Sequence, residues 1–307
     1  MLTSFFGKSN PINFVVLAVG LVLGFVLGAL RLSESVLNFS TIGHYILLLL
    51  LSIFSMFLLD FMIRKNDLTK QNTFGVFFYS CFLVMLPIVF LKTAIIIANV
   101  LILLALRRML SLYSEKNTEK KIIDAAIWIT LASFFYFYSL LFFIVLFVAI
   151  VRKSHTTYKH MLIPLAGFTA IFLLVTAYYF ITTDSFAWFY EWKPAITMDF
   201  SAYNAMKVVL PLSVIATLLV WTSTFRVFKL SSVQKKERPN YLFMLVVAFV
   251  SIAVALASPE KSGAEMLFVF APTAIISANY LEQLNEFWFK EVLLWLVLLL
   301  PLSFLFL

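Results

Sequence analysis

The side chains of this sequence that can do chemistry are charged residues in the short polar segments between long apolar runs. Four of them are candidates for a functional site, namely the carboxylates Glu34 and Asp184 and the cations Arg31 and Lys261. A carboxylate can take up the proton of an attacking hydroxyl group, and a fixed cation can stabilise a departing phosphate. These residue types therefore permit transfer chemistry at a phosphate-bearing substrate, and they would serve equally well as solvated surface charges.

Other reactive motifs are missing from the sequence. It contains no nucleophile elbow, phosphate loop, paired-cysteine metal site or HExxH pattern, and its one cysteine, Cys81, rules out a disulfide within the chain. The three histidines, His44, His155 and His160, are too scattered to predict a metal site. We therefore predict neither a metal nor a cofactor. No line of Asp, Glu or His crosses the apolar runs, which disfavours a proton-coupled pump or an ion channel.

Composition places the candidate residues in a membrane protein. Of the 307 residues, 63% are hydrophobic and 12% are charged, against about 25% charged residues in soluble domains. We predict a single polytopic transmembrane domain over 1–307, all α-helical, with 1–10 as an interfacial segment. The net charge of +8 then reflects lysine and arginine retained in cytoplasmic loops rather than binding to nucleic acid.

The stretch 122–151 decides on which side of the membrane each later loop lies. It has thirty residues and one formal charge, Asp124. A single helix of that length would be about 45 Å long, against a hydrocarbon core of about 30 Å. Two helices would each reach only about 20 Å, with the aromatic run at 134–139 as their turn. A short helical hairpin and two ordinary spans in a thin bilayer both remain open.

Counting positive charges favours a return of the chain within 122–151. If the chain returns, eighteen lysines and arginines lie on one side of the membrane and five on the other. If it crosses once, the tally is twelve to eleven. Because cytoplasmic loops collect these residues, we predict about eleven transmembrane segments in the bacterial inner membrane, with the N-terminus in the cytoplasm.

Three further patterns predict packing and surface elements. Gly20, Gly24 and Gly28 recur every four residues in the first span, which predicts close packing against another helix of this chain. Tryptophans and tyrosines crowd the 184–204 segment, which predicts short helices along the membrane surface. The polar and apolar residues of 280–291 alternate as in an amphipathic helix.

Two resemblances go beyond these patterns. From MLTSFFGKSNPINF onward, the whole chain resembles a family of bacterial polytopic inner-membrane proteins to which no activity is assigned. Two stretches, IIDAAIWITLASFFYFYSLLFFIVLFVAIVRK and SPEKSGAEMLFVFAPTAI, are distantly similar to the GT-C superfamily. Those membrane glycosyltransferases use polyprenyl-phosphate sugars, and the similarity lies in their paired short helices and in a late outer loop that enters a proline-containing helix.

The GT-C resemblance implies roles for the four candidate residues. Glu34 or Asp184 would be the catalytic base, and Arg31 and Lys261 would bind the phosphate of a polyprenyl-phosphate-linked sugar. The first outer loop departs from the superfamily because it has only thirteen residues and Glu34 as its sole acid.

Two hypotheses about function therefore stay open. The first is a GT-C-like enzyme or relative that handles lipid-linked sugars on the periplasmic face. The alternative is a non-catalytic membrane subunit or scaffold of an envelope assembly, with membrane proteins as partners; a transporter ranks below both. An enzyme needs a cavity between the first outer loop, the 184–204 segment and the 258–263 turn, into which acid and cation point.

Overall fold

The computed structural model describes residues 1–32, 39–114, 116–153, 157–197, 199–233 and 238–306. Within these ranges the chain is helical and has no β-strand. Thirteen α-helices are described, in chain order α1 Leu2–Phe6, α2 Pro11–Leu32, α3 Phe39–Lys65, α4 Phe74–Met85, α5 Thr93–Leu110, α6 Thr118–Phe135, α7 Phe142–Val151, α8 Tyr158–Thr183, α9 Trp188–Trp192, α10 Met206–Phe228, α11 Arg238–Leu256, α12 Leu267–Gln283 and α13 Phe287–Phe306.

Seven helical segments in the described ranges are long and apolar enough to cross a membrane. They are Pro11–Arg31, Thr41–Lys65, Thr93–Ser114, Tyr158–Thr183, Met206–Phe228, Arg238–Leu256 and Ala264–Gln283. The chain is therefore an all-helical membrane protein, and the predicted number of eleven spans is not confirmed. One reason is α4, whose twelve residues reach only about 18 Å. It ends just before Pro87, where a proline would break the helical hydrogen bonding.

The 122–151 stretch reverses direction, as the charge count predicted. Helix α6 ends at Phe135, Tyr136 is extended with φ −147°, and a 3-10 turn leads into α7. The start of α6 and the end of α7 lie close together. Lys153, just after α7, is near enough to Lys121, near the start of α6, for its positive charge to lower the pKa of Lys121. Burial is the largest cause of that lowered pKa, followed by Lys65, Arg108 and Lys153. A single straight helix would have separated Lys121 from Lys153 by more than the membrane core.

The basic segments gather at one end of the helices. Arg108 and Asp124 form an ion pair of 2.9 Å that joins α5 to α6. The guanidinium of Arg152 donates a hydrogen bond of 2.8 Å to the carbonyl of Pro239 at the start of α11. This end, which we call the basic end, thus brings together segments that the charge count placed on one side. That this side is the cytoplasm remains a prediction.

The opposite end joins the segments that were predicted to lie on the other side. Lys92, which precedes α5, forms a 2.8 Å ion pair with Glu260 in the turn after α11. The hydroxyl of Tyr136 at the tip of the hairpin donates to the carbonyl of Val254 at 3.3 Å. We call this the far end.

Helices α4 and α12 form the centre of the bundle. Of the window that qualifies α12 as a span, 94% is buried inside the protein, against 11% for α8 and 22% for α10. The rings of Phe82 and Phe270 pack 5.9 Å apart where α4 and α12 meet. Helices α8 and α10 therefore lie at the periphery.

The glycines of α2 confirm close packing within the chain at two of three positions. A Cβ added to Gly24 would lie 2.7 Å from both methyl groups of Val84, and one added to Gly28 would lie 2.7 Å from the Cβ of Pro87. A Cβ at Gly20 would meet no atom within 4 Å. Helix α2 therefore packs closely on α4 at Gly24 and on the turn after α4 at Gly28, whereas Gly20 faces open space.

Two predictions about local elements have opposite outcomes. The 184–204 segment forms the short helix α9 and a 3-10 turn at Ser201–Asn204, as predicted. The separate amphipathic helix predicted for 280–291 is wrong, because α12 continues to Gln283 and α13 begins at Phe287. The polar pattern there comes from the end of one helix and the start of the next.

Candidate functional site

The four residues predicted to carry chemistry do not form one site among the described residues. Glu34 lies outside the described residues. Arg31 is exposed near the end of α2, and Asp184 is exposed at the end of α8 in a left-handed conformation, φ 48°. No hydrogen bond or ion pair described here joins Arg31, Asp184 or Lys261 to another of the three.

Of the three described residues, Arg31, Asp184 and Lys261, only Lys261 is buried, with 5% of its surface exposed. Its ammonium group donates a hydrogen bond to the carbonyl of Leu256, the last residue of α11. It also lies 5.2 Å from the ring centre of Phe200. Burial lowers the pKa of Lys261, and the nearby charge of Glu265 opposes that effect. A cation at the C-terminal end of a helix can bond the last backbone carbonyls, which have no partner within the helix. The contacts of Lys261 are therefore those of a helix cap, and they are also compatible with a phosphate ligand.

A fully buried carboxylate, that of Glu265, lies close to Lys261 and was not chosen from the sequence. It accepts hydrogen bonds from the hydroxyl of Tyr203, from the amide of Gly263 at 3.1 Å and from the hydroxyl of Ser262 at 3.3 Å. Gly263 has φ +93°, a conformation that glycine adopts without strain. Burial, and then the hydrogen bond to Glu265, raise the pKa of Tyr203.

The hairpin tip completes this cluster at the far end. Tyr138 donates to the carbonyl of Pro194 at 2.7 Å, and the indole of Trp192 donates to the carbonyl of Ser133 at 2.9 Å. The hairpin tip, the 184–204 segment and the turn after α11 therefore meet at the far end. The sequence had grouped the last two with the first outer loop, which lies partly outside the described residues. We call Tyr136, Tyr203, Lys261 and Glu265 the Glu265 cluster.

A second candidate site, which the sequence did not predict, lies at the basic end. It is a cavity of about 620 Å³ between the segment that joins α3 to α4 and the ends of α10, α11 and α12. Its polar lining includes Lys70, Lys229, Asn240, Asn279, Glu282 and Gln283. We call it the polar cavity.

A buried arginine supports one wall of the polar cavity. Arg226 of α10 is 3% exposed, and its Nη1 donates to Asn279 Oδ1 at 2.5 Å while its Nε donates to the carbonyl of Tyr241 at 3.1 Å. Its guanidinium carbon lies 3.8 Å from the ring centre of Tyr241. Asn279 in turn donates to the carbonyl of Leu68 at 2.8 Å. These bonds fix α10, α11 and α12 against the segment that joins α3 to α4.

The carboxylate of Glu282 fixes the facing wall. It accepts a hydrogen bond of 2.8 Å from the backbone amide of Lys70 and one of 2.5 Å from the side chain of Asn72. Because the bond to Lys70 uses the backbone, the ammonium group of Lys70 is not needed for it. Asn279 and Glu282 are three residues apart and so share one helix face, which was the available sequence signal. Arg226 stands near the end of an apolar run, where in the sequence it looks like any other cation of the basic segments.

The lining determines what the polar cavity can bind. Asparagine and glutamine side chains both donate and accept hydrogen bonds, which suits hydroxyl groups, and lysines suit an anion. Among the described residues, no group of three or more His, Cys, Asp or Glu side chains is placed to hold a metal ion.

The fold and the cavity define the class as a polytopic helical membrane protein with a polar cavity at one end of its bundle. The chain belongs to the family described as "Family of unknown function (DUF6427)", whose profile matches residues 6–307. No curated protein and no solved structure matches the chain.

Proposed function

We propose that this is a bacterial inner-membrane protein of the cell envelope that handles lipid-linked sugars and binds their sugar-phosphate head group in the polar cavity. The observation that carries the proposal is the 620 Å³ polar cavity at the basic end of the bundle. Its volume falls within the usual range of small-molecule sites, about 300–1,000 Å³. The cavity adjoins the ends of three candidate spans, and we expect the ends of spans to lie near the lipid head groups.

The lining supports a sugar phosphate in particular. Five carboxamide side chains line the cavity, those of Gln71, Asn240, Asn279, Gln283 and Asn285. Asn240, Asn279 and Gln283 already make hydrogen bonds within the protein. The carboxamides of Gln71 and Asn285 are therefore the ones that we expect to donate to one hydroxyl group of a sugar and accept from its neighbour. The two lysines of the lining offer positive charge to a phosphate, beside the carboxylates of Asp67 and Glu282, which line the same cavity.

The walls are held in place before any ligand arrives. Arg226 and Glu282 each make at least two hydrogen bonds to neighbouring elements. A site that is already ordered loses less conformational entropy on binding. This favours binding and positioning of a head group as the role of the cavity.

Substitution of Lys70 tests the proposal. The Lys70→Ala variant removes a cation of the lining and keeps the backbone amide that Glu282 uses. With a polyprenyl-phosphate-linked hexose in nanodiscs as probe, we expect binding to weaken by about fivefold. Lys120→Ala, which removes an exposed cation at the start of α6, is the matched control and should change binding less than twofold. Equal affinity of the wild type and Lys70→Ala would contradict the proposal.

One observation favours a second candidate, a GT-C-like glycosyltransferase that acts at the far end. The hairpin tip and two later segments bring the cation Lys261 and the carboxylate Glu265 into one cluster. In that case Lys261 would bind the lipid phosphate, and Glu265 would replace Asp184 and Glu34 as the carboxylate of the site.

Envelope glycans distinguish the two candidates. Lys261→Met and Glu265→Gln should alter the glycans if the far end is catalytic, whereas Glu260→Gln, at an exposed ion pair, should not. Normal glycans in folded Lys261→Met and Glu265→Gln variants would argue against transfer at the far end. If the Lys70→Ala variant also bound the head group as tightly as the wild type, the remaining role would be that of a non-catalytic subunit of an envelope assembly.

A further inference from the structure

A group of four cations lies at the basic end and shares no residue with the polar cavity. Lys65 is the last residue of α3, and Arg107 and Arg108 lie in the last turn of α5. Lys121 lies near the start of α6. We call these four residues the cation cluster.

Two members of the cluster meet at one aromatic ring. The ammonium nitrogen of Lys65 lies 5.3 Å from the ring centre of Phe61, and the guanidinium carbon of Arg107 lies 4.7 Å from the same centre. Phe61 is exposed on α3. In the part of the chain that the structure describes, no hydrogen bond or ion pair holds the side chain of Lys65 or Arg107. Both charges are therefore close together and accessible to an anion.

The other two members extend the positive charge towards α6. Arg108 forms an ion pair of 2.9 Å with Asp124, and the ammonium group of Lys121 donates to a backbone carbonyl and a serine hydroxyl just after α5. Burial lowers the pKa of Lys121, and the charges of Lys65, Arg108 and Lys153 lower it further. Among the described residues, Asp124 is the one carboxylate that pairs with the cluster, so positive charge is in excess.

The exposed face of α3 leads to the cluster. Large apolar side chains recur along it every three or four residues, which places them on one side of the helix. They are Leu47, Leu50, Phe54, Phe57 and Phe61, and all are exposed. We call them the apolar stripe and expect it to contact lipid chains. Lys65 ends the candidate span Thr41–Lys65, and long cationic side chains at the end of a span extend to the level of the head groups.

The cluster and the stripe together indicate the class of ligand. A soluble anion would use the cations alone, whereas the stripe adds surface for a hydrocarbon chain. An anionic phospholipid carries both a phosphate and such chains, and basic sites between membrane helices bind head groups of this kind. A zwitterionic lipid also brings an ammonium group, which the excess of positive charge repels.

We propose that the ends of α3 and α5 bind one anionic phospholipid, whose phosphodiester is held by Lys65 and Arg107 and whose acyl chain lies along the apolar stripe. Both cations donate charge-assisted hydrogen bonds to the phosphate oxygens. Arg108 and Lys121 raise the local positive potential. This site goes beyond the proposed head-group function, and neither depends on the other.

Neutral variants of the two phosphate ligands test the site. Lys65→Gln and Arg107→Gln each remove one charge without breaking a described hydrogen bond, so both variants should fold. Lys65→Arg keeps the charge. Lys120→Gln is the matched control, because Lys120 is the sequence neighbour of Lys121, is exposed and has no described contact with the cluster.

The experiment uses the full chain in nanodiscs that contain equal amounts of phosphatidylglycerol and phosphatidylethanolamine. After release from the nanodiscs, mass spectrometry measures which lipid stays bound. We expect the wild type to enrich phosphatidylglycerol by about tenfold or more, because each cation near the surface contributes about fivefold. Lys65→Gln and Arg107→Gln should each lower the enrichment about fivefold, whereas Lys65→Arg and Lys120→Gln should change it less than twofold.

Two further arms identify the source of the phosphate. Glycerophosphoglycerol, the head group without chains, should not displace the lipid at equal concentration; displacement would mean that the site takes a soluble anion and would overturn the proposal. Lys70→Ala should keep the enrichment, and a loss there would place the lipid in the polar cavity instead. Unchanged enrichment in Lys65→Gln and Arg107→Gln, or an equal loss in Lys120→Gln, would also overturn it. None of these results changes what the lipid-linked sugar assay measures.

Discussion

The side chain of Arg226 donates a 2.5 Å hydrogen bond to Asn279 Oδ1 across the interface of α10 and α12. The same guanidinium bonds the carbonyl of Tyr241 and stacks on its ring, so one buried charge joins three helices. Removing a buried hydrogen-bonding cation leaves its acceptors unpaired, which costs more than the bonds contributed. This relationship explains why the polar cavity has a fixed wall although α10 itself is mostly exposed.

The first prediction concerns that arginine. Arg226→Met keeps most of the side-chain volume and leaves Asn279 Oδ1 and the carbonyl of Tyr241 without a donor. We expect the free energy of unfolding to fall by about 2–4 kcal/mol, measured by denaturant titration in detergent micelles. Arg31→Met, at an exposed position, is the control and should change it by less than about 0.5 kcal/mol. A loss of stability no greater than that of Arg31→Met would contradict the assigned role.

The second prediction compares two glycines on the same face of α2. Gly24→Ala places a methyl group 2.7 Å from both methyl groups of Val84, and this overpacking should cost about 1–3 kcal/mol. Gly20→Ala meets open space and gains helix propensity, so it should stabilise the protein by about 0.5–1 kcal/mol. Thermal unfolding of the two variants measures the difference. Equal effects would mean that α2 does not pack on α4 at Gly24.

The sequence predicted the arrangement of the chain better than its sites. Long apolar runs and unequal loop charges depend only on composition, and they predicted an all-helical membrane protein and the reversal in 122–151. Proline and local packing set the length of each helix, and the predicted eleven spans are not confirmed, for example at α4, which ends before Pro87. The 280–291 pattern failed for a related reason, since periodicity alone does not show a helix break at 284–286.

The sites were harder to predict because they depend on contacts between distant segments. The sequence grouped the 184–204 segment with the 258–263 turn but left out the hairpin tip, and the choice of Asp184 as carboxylate used only its position in a loop. The structure exposes Asp184 and buries Glu265 instead. The polar cavity rests on bonds such as Glu282 to the amide of Lys70, 212 residues apart in sequence, which no local pattern contains.

The third prediction is a pH dependence at the Glu265 cluster. Burial and the hydrogen bond to Glu265 raise the pKa of Tyr203 above that of a free tyrosine, about 10. The folded protein therefore keeps this proton to higher pH than the unfolded chain does. Stability from this source is fully present below about pH 10 and is lost as pH rises beyond it.

The measurement for this prediction is the thermal midpoint between about pH 8 and about pH 11. We expect the midpoint of the wild type to fall more steeply above about pH 10 than that of Tyr203→Phe, which has no phenol to ionise. Tyr190→Phe removes a phenol from a side chain that is 84% exposed and should keep the steep fall. Parallel curves for the wild type and Tyr203→Phe would contradict the raised pKa.

The fourth prediction tests the reversal on which both candidate sites depend. Arg152 bonds to Pro239, and Lys121 lies near Lys153, so all of them belong to one end of the bundle. Reporter tags inserted between Arg152 and His160 and beside Lys120 should therefore be reached by the same membrane-impermeant reagent in intact cells. A tag beside Glu260, at the far end, should react only from the opposite compartment.

The compartment itself is decided by the same experiment, because a bacterial periplasm is open to small reagents in intact cells. From the distribution of lysine and arginine we expect the tag after Arg152 to be protected and the tag at Glu260 to react. Protection of both tags, or of neither, would place the two ends of the bundle on one side, and neither arrangement fits helices that cross the membrane. Reaction of the Arg152 tag alone would keep the reversal but invert the protein. The polar cavity would then face the periplasm, where the sequence had placed the chemistry.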